Sequence, residues 1–123
     1  MTPDIRSLLD EILSKLDAQN LESIRNLTEE QVPGFHFSLG LYIRNSFIYP
    51  KDSIFGQAAL SLVGDADAIS TIVLICLWHH LNDRPITHEL LVEQLVKRIW
   101  ILEEGEADTI SAQLLGNKGD VNT

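Results

Sequence analysis

Apolar residues recur at a helical period along most of this chain. Ile5, Leu8, Leu9, Ile12, Leu13 and Leu16 fall on one face, three or four apart, and leave Asp4, Asp10, Glu11 and Lys15 outside. That spacing predicts an amphipathic first helix, with Thr2 as N-cap and Pro3 in the first turn. Asn20 caps a short second helix from Leu21 to Leu27 in this reading. Thr28-Glu29-Glu30-Gln31 has capping-box spacing and predicts one helical turn before Pro33-Gly34. Ser53 to Leu62 forms a further helix stopped by Gly64. Between Asp67 and Leu81 the apolar positions run nearly all the way round, the pattern of a central helix enclosed by its neighbours. Thr87 caps a last helix that turns Leu90, Leu91, Leu95, Ile99 and Leu102 inward, and Gly105 ends it. The expectation is an all-α domain of five or six helices over residues 1–104, packed around a buried helix at about 67–81. Residues 105–123 read as a polar C-terminal tail, partly disordered.

The segment between the third and fourth predicted helices does not fit a plain amphipathic pattern. His36-Phe37-Ser38-Leu39-Gly40-Leu41-Tyr42-Ile43-Arg44-Asn45 places a histidine, a glycine and an arginine at steps of four. On a helix these share one face beside Leu39 and Ile43. Its aromatic and β-branched residues also suit a strand, but their spacing favours a helix. Glycine inside a helix costs ~1 kcal/mol against alanine, so the stripe needs a reason. As a folding device, Gly40 lets a neighbouring helix come close, Arg44 binds a carboxylate such as Asp52, Asp65 or Asp67, and Asn45 caps a helix end. As a binding site, His36, Arg44 and Asn45 line a pocket or a partner surface.

Composition narrows the function classes. Eighteen acids against nine bases give a formal net charge of −9, which repels nucleic-acid phosphates and anionic lipid and attracts a basic protein. The longest purely apolar run, Ile72 to Trp78, is far shorter than the ~20 residues a membrane span needs. No basic segment precedes an apolar core near the N-terminus, and the single cysteine, Cys76, fits a reducing compartment. A cytoplasmic location follows as the expectation.

Catalytic and metal chemistry find little support in the sequence. His79 and His80 are adjacent and point about 100° apart on a helix, without the i, i+4 spacing of zinc-binding histidines. Cys76 lies in the most apolar stretch, where a thiol is a poor nucleophile. No glycine-rich phosphate loop, Gly-x-Ser-x-Gly turn or carboxylate pair is present. No metal, cofactor or catalytic group is therefore assigned.

The block from His36 to Asn45 resembles the His-Phe-x-Leu-Gly-x-x-Ile-Arg-Asn signature of small bacterial proteins of unknown function. Ser46-Phe47-Ile48-Tyr49 departs from that group in lacking a tryptophan, while Arg84-Pro85-Ile86 before a capped helix resembles it again. The resemblance implies a bacterial or phage origin and a helical domain, and carries no activity. In size and charge alone the chain is also similar to bacterial immunity proteins, which bind and block a toxin. The leading expectation is accordingly a non-enzymatic protein that neutralises a basic toxin domain. Glu29 and Glu30, Asp65 and Asp67, and Glu103, Glu104 and Glu106 would face that partner. The alternatives are a helical adaptor or homodimer using the edge of the motif helix, and an enzyme using His36 and Arg44 in a cleft.

Overall fold

A computed structural model describes residues 4–99 and 102–116, with the backbone alone at His36 and Phe37. Seven α-helices follow in order: α1 (Ile5–Lys15), α2 (Ala18–Arg25), α3 (Leu39–Ile43), α4 (Ile54–Val63), α5 (Ala66–Leu81), α6 (His88–Arg98) and α7 (Glu104–Leu114). A 3-10 segment, Glu29–Phe37, precedes α3, and a π-helical turn, Arg44–Ile48, continues it. Among the described residues there is no strand. The fold is all-α, with one or two more helices than the periodicity predicts.

The organising element is α5. Every residue from Ala68 to Trp78 is buried, as the unbroken ring of apolar positions requires. Helices α1, α2, α3, α4 and α6 and both irregular segments pack on it. Each fully buried Leu, Ile or Val there stabilises the fold by ~1.5–3 kcal/mol over its exposed state. The outer helices use one stripe each, such as Ile5, Leu8, Leu9 and Ile12 on α1.

Side-chain caps start five of the helices. Asp4, Asp17, Ser53, Asp65 and Thr87 accept backbone N–H bonds at 2.8–3.1 Å, each contributing ~1 kcal/mol. The cap expected at Thr87 is in place, Ser53 and Asp65 cap α4 and α5, and Gly64 ends α4 at φ 79° as expected. Two other starts differ. Helix α1 is capped by Asp4, Thr2 and Pro3 lying outside the described residues, and α2 is capped by Asp17 rather than Asn20 because the Asp17 carboxylate accepts from Asn20 N–H at 2.8 Å. The capping box holds, with Thr28 N–H donating to Gln31 Oε1 at 2.9 Å, but it opens a nine-residue 3-10 segment through Pro33 instead of one turn.

The largest correction concerns the C-terminal stretch. Residues 105–114 are not tail but most of α7, which buries Ala107, Ile110, Ser111 and Leu114 and packs on α4 and α6. Gly105 sits in its first turn, and α6 ends earlier, at Arg98. Residues 117–123 of the expected tail lie outside the described residues.

Candidate functional site

The motif is built from a change of helical type. A break at Ser38 (φ −104°, ψ −78°) separates His36 from α3, so His36, Gly40 and Arg44 do not form one α-helical stripe. The placement expected for the His36 side chain lies outside the described atoms. Gly40 is buried in α3. From Arg44 the helix widens, and Tyr49 N–H donates to Arg44 O, five residues back, at 2.9 Å. Such a π-turn leaves carbonyls to be satisfied from outside the helix.

Helix α4 supplies what is missing. The Ser53 hydroxyl donates to Phe47 O, and the Gln57 amide reaches Ile48 O, Tyr49 O and Pro50 O at 3.3, 3.1 and 3.3 Å. This requires backbone-to-backbone contact, and Gly56 allows it. A Cβ at 56 would stand 2.5 Å from Ile48 Cα, Ile48 O and Phe47 O. The close approach of helices foreseen at Gly40 is thus documented at Gly56.

Arg44 turns inward and is 7% exposed. Its Nε lies 3.3 Å from Asp67 Oδ1, and its Nη1 donates to Ser70 Oγ at 2.9 Å. Ser70 in turn donates to Asp67 O. The buried guanidinium is therefore matched by a carboxylate that stays open to water, tying the π-turn to the first turn of α5. Of the three carboxylates foreseen for Arg44, Asp67 is the one observed here. Asn45 is exposed within the π-turn and caps no helix end.

Asp65 and Asp67 stand apart from the other predicted acids. Asp65 is an N-cap and Asp67 an ion-pair partner, both at the start of α5. Glu29 stands at the other end of that helix, ~20 Å away by helical rise, 3.5 Å from His79 Nε2 and 3.7 Å from Arg84. Both ring nitrogens of His79 are buried and lack a hydrogen-bond partner among the described residues. Glu103 starts α7, its N–H donating to Glu106 Oε1 at 3.1 Å. Glu30 and Glu104 remain exposed. Glu29 and Glu30 border a cleft that they share with Glu93, Lys97 and Arg98.

Beside that cleft, α6 and α7 form a groove of about 680 Å³ whose polar rim includes Glu89, Glu93, Glu104 and Asp108. Glu93 and Lys97 line both depressions, so the two make one acidic side of the molecule. Glu89, Glu93 and Asp108 were not among the residues singled out from the sequence. The apolar spacing of Ala107, Ile110 and Leu114 was the available signal for α7 and hence for this groove.

Within the hairpin, Ser111 Oγ lies 2.9 Å from His88 Nδ1, and His88 Nε2 lies 3.0 Å from Asp108 Oδ1. The connectivity is that of a Ser-His-Asp triad, but the burial is inverted. Ser111 is fully buried and Asp108 faces solvent, whereas a hydrolytic triad buries the acid and presents the hydroxyl. The link fastens α6 to α7. Cys76 is fully buried, and burial pushes its thiol up to about 12, which keeps it protonated and unreactive at neutral pH. Among the described residues no three metal-binding side chains gather, and no helix is long and apolar enough to cross a membrane.

Neither the curated proteins nor the solved structures contain a match to this chain. A family profile described as a domain of unknown function, DUF6794, matches residues 3–81, which run to the end of α5. The α6–α7 hairpin lies beyond the matched stretch. With well over half of its length matched, the chain belongs to the DUF6794 family.

Proposed function

We propose that this protein is a binding module, not an enzyme, and that it holds a basic protein partner in the bacterial cytoplasm in the manner of an immunity protein neutralising a toxin domain. The observation that carries this reading is the division of labour among charges. Arg44 and Asp67 are matched to each other at the start of α5, while Glu30, Glu89, Glu93 and Glu104 stand exposed along one side. With a net charge of −9, such a side steers a cationic partner and accelerates encounter at low salt.

Co-expression with the product of the neighbouring open reading frame tests the reading. The expected result is that the neighbour arrests growth alone, is tolerated in the presence of this protein, and co-purifies with it. A neighbour that is harmless, or that fails to co-purify, overturns the immunity assignment. Association should slow as salt rises, since the steering charges are exposed.

A further inference from the structure

We propose that the α6–α7 groove seats a cationic amphipathic helix contributed by the partner, an inference that rests on the binding reading above and assigns it a site. Val92 and Val96 stand four residues apart on α6 and form the apolar part of the groove, and Val96 is 39% exposed. Glu89 and Glu93 lie on the α6 rim, with Glu104 and Asp108 on the α7 rim. An apolar strip between two acidic rims is the complement of a helix with apolar residues at i and i+4 flanked by lysine or arginine.

The length fits as well. Helix α6 has eleven residues, ~16 Å at helical rise, enough to lie alongside three turns of a partner helix. Lys97 is the cation of the groove, and its place beside Glu93 leaves the rims negative overall. A second copy of this chain is a poor occupant, because symmetric pairing through this face would set one acidic rim against another. Nucleic acid is repelled by the same rims. At the groove itself α6 and α7 are fastened together, His88 standing 2.9 Å from Ser111 Oγ and 3.0 Å from Asp108 Oδ1. A preformed seat spares the ordering cost that a loop would incur on binding.

The test uses three synthetic peptides with the full-length protein at low salt, followed by backbone amide resonances. One carries leucines four apart flanked by lysines, one replaces its lysines by glutamate, and one scrambles the first so that charge is kept and the stripe lost. The striped cationic peptide should shift amides within 88–97 and 104–108, and bind at least about tenfold more tightly than the scrambled one. The acidic peptide should not bind. Val96→Asp and Glu104→Lys should each weaken the striped peptide about tenfold while the protein stays folded, its thermal transition moving by no more than a few degrees.

Equal binding of the scrambled peptide, shifts confined to other helices, or no binding at all would overturn the groove assignment. Should the neighbouring gene product co-purify equally with wild type, Val96→Asp and Glu104→Lys, the groove fails and the immunity reading stands. If the peptide docks as described while no neighbour product is bound, the immunity reading fails and the groove stands.

Discussion

Arg44 and Glu104 are both charged residues in helical segments, yet the molecule treats them in opposite ways. Arg44 is folded under, with Asp67 and Ser70 within 3.3 Å of its guanidinium. Around it, the irregular backbone of the π-turn is satisfied by Ser53 and Gln57 from α4. Glu104 sits in the first turn of α7, where the helix dipole favours it, and borders a groove open to solvent. The difference separates two uses of polarity. At the π-turn, polar groups fix one way for α4 to meet the motif. Along one side of α6 and α7, Glu89, Glu93 and Glu104 stand exposed instead, and that part of the fold lies beyond the stretch shared with the family.

Chemical reactivity offers the widest separation between the two regions. Cys76 is fully buried in α5, so a maleimide reaches it only through unfolding. Its labelling should be at least about 1,000-fold slower than that of a cysteine introduced by Val96→Cys. The same thiol fixes a sign. Its folded pKa of about 12 lies above the ordinary 9.0, so the folded state keeps a proton that the unfolded state gives up. Its contribution is whole below pH 9 and declines as pH climbs from 9 toward 12, which denaturant titrations at alkaline pH would register. Similar labelling rates at 76 and 96 would break the comparison outright.

Backbone contact comes next. Gly56→Ala places a methyl group against Ile48 and Phe47 backbone atoms and should cost about 3 kcal/mol in urea unfolding. Arg44→Ala removes a packed stem and leaves Ser70 without its donor. We expect a loss of about 2 kcal/mol, moderated because Asp67 keeps access to water. An Arg44→Ala variant as stable as wild type would remove the case for a folding role. Gln57→Ala withdraws the amide shared by three carbonyls and should cost about 1 kcal/mol. At the other extreme, Val96→Asp and Glu104→Lys should change stability by no more than ~0.5 kcal/mol. A large destabilisation there would show that the α6–α7 face is structural after all.

What could be read from the residues follows the same division. Helix α5 was legible because a closed ring of apolar positions has one physical meaning. Thr87 was legible because a short polar side chain before an apolar run has a backbone donor to satisfy. The π-turn was not, since its stability is borrowed from Ser53, Gly56 and Gln57, and no local pattern states that loan. Asp67 could be shortlisted for Arg44 but not chosen from Asp52, Asp65 and Asp67 without the packing of α3 on α5. Helix α7 was overlooked because its charged first turn and Gly105 resemble a tail, although Ala107, Ile110 and Leu114 keep helical spacing. The groove was missed along with it, for a surface between two helices cannot be seen when one is taken for coil.

The position of α5 in the chain also has a consequence in time. Helices α1 through α4 come before it in the chain, and the surface on which all four pack does not exist until α5 is made. Synthesis at roughly 5–20 residues per second takes about 1–3 s to make its sixteen residues. During that interval a nascent chain holds several amphipathic helices and no core. The interval before α5 emerges is therefore one in which the apolar faces of those helices are open to aggregation, and the arrival of that one helix closes it.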